Sequence, residues 1–439
     1  MDAQDTINIS DGMGAVVFIM WFGFVIQGSI MMGATAIVSR MTGARDYPQA
    51  QHGLHQAAML GLLAGTISCG LLFTCSDFLV THVLTMNETA RAYALQYVYM
   101  AAFAAPFSGV VFAINAALRG SGDTRLPFWI MMSVGILNVI FSVIFVFADA
   151  PLGGWRIGGI AAGTVCGYGI SMCILLFIML RRRKKIFTGR KNESLEELVR
   201  ERGEHYAPPL YLSFSHLRPD MGMQKRILKI GLPQAVEVFG MWGIQMFCLS
   251  IISELPVKGV LGVHNIAVRI ESLSFLPGFA IGIAASTLVG QYLGARNALM
   301  ARITIWKCMR YAVIFMTGLG VLFSAFPALF MEIFSNGSTT LIDTGIPVLR
   351  TMLVVEPFFA ACIVMKMSLR GAGDTRRVML ISYGIMGFFR VVCTWIWFRL
   401  APETMTLWGI WLVFAFEMAV QSAILYKIVK GRSWTKLQV

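Results

Sequence analysis

The sequence predicts an all-α polytopic membrane protein made of two related helical bundles. Three observations predict it. The chain is 57% hydrophobic and only 13% charged, whereas soluble domains carry about 25% charged residues. Apolar runs of about twenty residues recur from end to end, each long enough to cross a bilayer of roughly 30 Å as a helix. An eight-residue phrase is also written twice, LRGSGDTR from Leu118 to Arg125 and LRGAGDTR from Leu369 to Arg376, at an offset of 251 (369 − 118). A near-identity of that length marks a doubled unit.

The same offset relates other stretches. Gly43, Ala44 and Arg45 map onto Gly294, Ala295 and Arg296, and Phe24, Ala34 and Val38 onto Phe275, Ala285 and Val289. Basic turns fall on basic turns, so the repeats run in the same direction. Their pseudo-axis then lies along the membrane normal, an arrangement known in secondary transporters.

Taken in order, the first half holds five spans: Met13 to Ser39, Leu54 to Phe73, Ala92 to Leu118, Pro127 to Ala148 and Ile157 to Leu180. Residues 1–180 form this first lobe, and a basic linker covers 181–228. The linker opens with RRRKK, and its middle pairs Ser194 with Glu197 as a capping box and Glu196 with Arg200 at i, i+4, which suits a short solvated helix. The second lobe, 229–431, holds six spans: Ile230 to Ile252, Val260 to Gln291, Ile303 to about Phe326, Ile346 to Leu369, Val378 to Phe398 and Leu407 to Val429. A tail of 432–439 follows. The expected total is eleven spans, five and then six.

Lys and Arg set the orientation. Arg40, Arg45, Arg119, Arg125, the linker, Arg296, Arg302, Arg370, Arg376, Arg377 and the tail share one side, which is then cytoplasmic. The net charge of +13 is accounted for by this anchoring and not by nucleic acid. The eight cysteines lie almost wholly within apolar runs, without CxxC spacing, and read as small buried hydrophobes. No cleavable signal peptide is evident at the acidic, polar start.

Applied backwards, the offset puts the partner of Ile230 to Ile252 ahead of residue 2. The first half is therefore expected to lack one helix of a twelve-helix design, through truncation; a true eleven-helix variant is the alternative.

The run from Ile266 to Arg296, the two LRGxGDTR turns and GLPQAVE (Gly231 to Glu237) resemble the multidrug and toxic compound extrusion (MATE) transporters of bacteria. The resemblance covers about Gly12 to Val429. It implies two six-helix lobes around a central cleft, and antiport of cationic compounds against protons or sodium. One departure stands out. Many bacterial members carry an aspartate four residues after the asparagine that matches Asn138, where this chain has Ser142. A proton site in the first lobe is thereby put in question, and the acids of the second lobe gain weight.

Ionisable residues inside spans are costly and so are candidate functional groups. None lies deep in a span of the first half. Glu237, Glu356 and Glu271 are the ion-coupling candidates, as protonatable carboxylates or as oxygen ligands for sodium. Glu356 precedes Pro357, which breaks a helix hydrogen bond. Glu417 ranks lower and reads as a structural partner. His264, Arg269 and Arg390 are candidates for a relay or for ion pairs, with Arg269 or Arg390 the expected partner of Glu271. Gln27, Tyr97, Asn115 and Asn138 are substrate-cleft candidates in the first lobe, against the commoner role of interhelical hydrogen bonding. Twenty-eight methionines suit a wall that adapts to varied ligands.

Gly120, Gly122, Asp123, Arg125, Gly371, Gly373, Asp374 and Arg376 make the two repeated turns. They read as structure: glycine for the sharp turn, aspartate to cap the next helix, arginine for headgroups. No metal site, cofactor or nucleic-acid partner is expected, only an ion gradient, small organic cations and membrane lipid. A monomer in the bacterial inner membrane is expected. The competing readings are a lipid-linked oligosaccharide flippase and an inactive truncated transporter. A membrane-embedded enzyme would want HExxH, GxSxG or paired intramembrane aspartates, and none occurs.

Overall fold

The computed structural model describes residues 3–83, 88–149, 153–186, 208–213, 218–257, 259–335 and 338–437. The expected capping box at Ser194 and Glu197 and the Glu196–Arg200 pair lie outside these residues. Every regular element among the described residues is helical. Ten helices are long and apolar enough to cross a membrane, and a bent pair makes an eleventh span. The chain divides into two compact units, Met1–Ala235 and Val236–Val439.

The first unit contains α1 (Ala3–Gly43), α2 (Tyr47–Phe78), α3 (Glu88–Ala102), α4 (Ala104–Gly120), α5 (Arg125–Phe147), α6 (Arg156–Ile186) and the start of α7 (Met221–Ser253). Helix α2 packs along α4, α1 packs against both, and α5 pairs with α6. Leu54, Ile114, Leu118, Leu175 and Met179 are fully buried where these helices meet. The outer face of α5 shows the opposite pattern, with Phe128, Trp129, Ile136, Val139 and Phe147 exposed. An exposed apolar face of that extent matches hydrocarbon, not water.

The second unit contains the rest of α7, then α8 (Val260–Gly294), α9 (Ala298–Ala325), the short α10 (Pro327–Ser335), α11 (Thr339–Gly371), α12 (Thr375–Met386), α13 (Thr394–Leu400) and α14 (Leu407–Lys430). A π-helical turn, Gly387–Cys393, joins α12 to α13 in a single span. Helix α11 is central and packs against α8, α9 and α14.

The offset of 251 reappears in the geometry. Arg45 and Arg296 both adopt positive φ, 61° and 57°. The residues that follow both cap a helix: Asp46 accepts from the Gln49 N–H at 3.2 Å and Asn297 from the Met300 N–H at 3.0 Å. Gly122 and Gly373 turn the repeated hairpins at φ 94° and 88°, values open to glycine but strained for other residues. A Cβ on Gly120 would stand 3.1 Å from the Thr35 carbonyl oxygen, and one on Gly371 would stand 2.2 Å from that of Ser286. The turns thus fix each unit's central helix against its neighbour by backbone contact.

The halves also differ. Helix α11 runs unbroken through Pro357, whereas the matching stretch 88–120 is split into α3 and α4 with a bend of 48° near Phe103. The single span expected from Ala92 to Leu118 is therefore a broken one. Asp123 caps α5 as expected, accepting from the Leu126 N–H at 3.2 Å. Asp374 does not cap α12 with its side chain; its carboxylate turns instead to Arg377 at 3.2 Å. Arg125 and Arg376 are exposed. The cysteines are free thiols, but Cys75 and Cys173 are exposed instead of buried. A weakly polar thiol on an apolar outer face has no need of a protein partner.

Candidate functional site

The second unit buries a set of charged side chains that are far apart in sequence. Glu237 on α7 is fully buried. Arg370 on α11 places Nη2 2.9 Å from its Oε2, Lys366 one turn earlier places Nζ 4.0 Å from its Oε1, and the Ser382 hydroxyl of α12 donates to Oε1 at 2.7 Å. Lys366 and Arg370 are i, i+4 on one helix, so they present two cations to one carboxylate. The backbone is tied here as well, since the Tyr383 hydroxyl donates to the Val236 carbonyl.

Glu417 on α14 is the second fully buried acid. Arg390 donates Nε–H to its Oε2 at 2.8 Å and lays its guanidinium over the Phe414 ring, 4.1 Å from the centroid. Arg390 also reaches Gln245 Oε1 on α7 at 3.4 Å. His264 on α8 is buried, lies 3.4 Å from Gln245 through Nε2, and meets the Trp411 ring edge-to-face. Glu417, which sequence reasoning ranked low, therefore stands at the centre of this group as the partner of Arg390.

The third site is a pair of acids. Glu356 on α11 is fully buried. The Ser274 hydroxyl donates to its Oε1 at 2.5 Å, while Oε2 has no partner among the described residues. Glu271 lies near enough to act on Glu356 electrostatically, and Arg390 acts on Glu271 in turn. His264, Glu271 and Ser274 are spaced seven and then three apart, which puts them on one face of α8. Arg269 is exposed and joins neither site. Two residues along a helix is roughly 200° around it, so proximity in sequence to Glu271 did not become proximity in space.

The first-unit candidates separate into different settings. Gln27 ties α1 to α4, donating to the Ala105 carbonyl at 3.1 Å and accepting from Ser108 at 3.0 Å. Asn138 donates to the Thr164 hydroxyl at 2.8 Å, and Tyr97 approaches the same hydroxyl. Asn115 is fully buried, with neither amide atom hydrogen-bonded among the described residues. The structure brings Tyr97 and Asn138 together through Thr164, a residue the sequence did not single out.

A separate polar array holds the connector between the halves to α2. Gln51 bonds the Tyr211 backbone at both N–H and carbonyl, and the Ser213 N–H donates to His55 Nε2 at 3.0 Å. Gln56 donates to the Arg218 carbonyl at 2.7 Å and accepts from the Asp220 N–H at 3.0 Å. Asp220 caps α7 through the Gly222 N–H at 2.8 Å and pairs with His52 at 2.9 Å. The His52 hydrogen bond and then the Gly222 N–H hold the Asp220 carboxyl below the usual carboxylate range.

Among the described residues, no three His, Cys, Asp or Glu side chains gather as a metal site would require. Residues 11–144 and 233–396 match the family MatE. The probable multidrug resistance protein NorM of Thermotoga maritima is 25% identical over 85% of this chain and 74% of its own length. That of Photorhabdus laumondii is 23% identical over 94% and 86%. A transporter of the MOP superfamily from Pyrococcus furiosus has the same fold, with a TM-score of 0.83 at 17% identity over 99% of this chain and 92% of that one. With helices enough to cross a membrane many times and a family match over both halves, the chain is a multi-pass membrane protein that belongs to the MatE family.

Proposed function

We propose that the protein is a secondary antiporter that exports cationic drugs or toxic compounds in exchange for protons or sodium, by alternating access of its two lobes. The observation that carries the reading is Glu356. It is fully buried, one oxygen is held only by the Ser274 hydroxyl, and the other has no partner among the described residues. A carboxylate without a cation at its side has room to take up and give back a charge. Glu271 nearby gives a second carboxylate, so that one proton shared between two acids, or one sodium held by carboxylate and hydroxyl oxygens, would fit the site. The names of the NorM relatives support multidrug compounds as the cargo. Glu237 serves in this reading as a partner of Arg370 and Lys366 that links α7 to α11.

A carrier of lipid-linked phosphates would need unspent cations. Here Arg370 is paired with Glu237, and Arg390 faces carboxylates, pairing with Glu417. The driving force is an ion gradient without a cofactor, the cargo is a small organic cation, and the working form is a monomer in the bacterial inner membrane. The basic turns support a cytoplasmic C-terminus.

The test is ethidium efflux from proteoliposomes driven separately by proton and by sodium gradients. Glu356→Gln is expected to abolish gradient-driven efflux while leaving the protein folded. Efflux equal to that of the parent protein would sink the reading.

A further inference from the structure

Arg390 occupies a place that looks made for a cation. Its guanidinium lies between a fully buried carboxylate and an aromatic face, Glu417 Oε2 at 2.8 Å and the Phe414 centroid at 4.1 Å. Carboxylate plus aromatic face is the general recipe for holding a planar organic cation out of water. The residues around it extend the recipe. Trp411 is nearly fully buried, its indole N–H has no partner among the described residues, and its ring lies 6.3 Å from that of Phe414. Glu417 keeps one oxygen without a hydrogen bond among the described residues. The clasp is therefore not saturated by the arginine it contains.

The arginine is also carried on an irregular stretch of helix. Arg390 lies within the π-helical turn Gly387–Cys393. Such turns cost hydrogen-bond geometry, are rare, and occur often at functional sites. Two carbonyls of this turn are capped from the side, Phe389 by the Thr394 hydroxyl at 3.2 Å and Arg390 by the Cys248 thiol at 3.5 Å. These side-chain donors help satisfy carbonyls in a turn whose ladder departs from the α-helical pattern. A second anion is at hand, since Glu271 on α8 interacts with Arg390 electrostatically.

We propose that Glu417, Phe414 and Trp411 form a binding site for a planar, charge-delocalised organic cation, and that Arg390 fills it when no such cation is bound. The incoming cation takes the carboxylate and the ring face, and the guanidinium swings toward Glu271. Charge is balanced throughout, because one cation replaces another beside Glu417. The proposal rests on the reading of the protein as an exporter of organic cations, and it names Glu417, Phe414 and Trp411 as ligand-touching residues and Arg390 as their internal competitor.

The experiment is a fluorescence titration of the full chain in lipid nanodiscs with ethidium, with no gradient present. Arg390→Lys keeps a charge beside Glu417 but loses the planar fork and much of the stacking. It is expected to bind ethidium several-fold more tightly than the parent protein. Arg390→Gln, where it folds, is expected to bind at least tenfold more tightly, and Glu417→Gln at least tenfold more weakly. Unchanged or weaker binding by Arg390→Lys, or parental binding by Glu417→Gln, overturns the site. Transport is read apart from binding. If Arg390→Lys tightens binding but the parent protein drives no efflux, the site stands and the export reading falls. If efflux runs while none of the variants changes affinity, the site falls and export stands.

Discussion

Arg370 and Glu237 meet at 2.9 Å across 133 residues of sequence (370 − 237), and both side chains are buried. Removing one partner of such a pair strands the other charge, which typically costs about 3–5 kcal/mol. Arg370→Met is therefore expected to lower thermal stability sharply. Lys366 also faces Glu237, at 4.0 Å, so the triple variant Glu237→Gln, Lys366→Met, Arg370→Met, which leaves no uncompensated charge, should recover most of the loss. Melting curves of the parent protein and the two variants in one detergent decide it; a triple variant no better than the single one would contradict the pairing.

Gly371 and Gly120 occupy matching turns with unequal tolerance. A Cβ at Gly371 would meet the Ser286 carbonyl oxygen at 2.2 Å, while at Gly120 the nearest atom is 3.1 Å away. Contact with backbone cannot be relieved by a rotamer change. Gly371→Ala should force α8 and α11 apart and destabilise by at least about 1–3 kcal/mol, the usual cost of overpacking. Gly120→Ala should cost visibly less. The ratio of the two melting shifts is the measurement.

Asp46 and Asn297 cap α2 and α9 by the same bond, at 3.2 Å and 3.0 Å. Replacing an N-cap by alanine costs about 1 kcal/mol. Asp46→Ala and Asn297→Ala should each lose a similar amount, and the losses should add, since the two sites lie in different units.

Asp220 gives the protein a pH-dependent tether. Its carboxyl is held below the usual range by His52 and the Gly222 N–H. A depressed folded-state pKa stabilises at pH values above the unfolded pKa, near 3.8 for this group, and the contribution is lost as pH falls through the folded value. The melting temperatures of the parent protein and Asp220→Asn should therefore differ at pH 6 and converge as pH falls below about 4. A gap that stays constant with pH would remove the carboxylate from the account.

Composition and the repeated turn were enough to read the class of fold and its doubling. The turns repeat because their demands are local: positive φ at Arg45 and Arg296, a cap at Asp46 and Asn297, glycine at 122 and 373. The acids of the second half could be named because charge inside a span is conspicuous. Most of their partners could not be singled out, because pairing is tertiary. For Glu271 the sequence left Arg269 and Arg390 open; the helix turns Arg269 outward, and Arg390 is the cation that acts on it. Glu417 read as a structural partner, and the π turn supplies that partner in Arg390. Ser274 and Ser382 carried no signal of their own, since serine is common in membrane helices. The spacing of His264, Glu271 and Ser274 along one face of α8 was the available hint. The connector's attachment to α2 was missed because Gln51, His55 and Gln56 bind backbone, and backbone partners leave no mark in composition.

The matched turns have a consequence for how the halves came to differ. After a duplication, the parts fixed by backbone geometry stay alike because almost any change breaks them. The helix interiors are free to diverge, since one copy can keep the old work while the other takes new work. The hairpins of this protein should thus be spare parts: the stretch from Gly120 to Asp123 could be exchanged for Gly371 to Asp374 with little effect. The helices flanking them could not, because only one half has come to hold the charge.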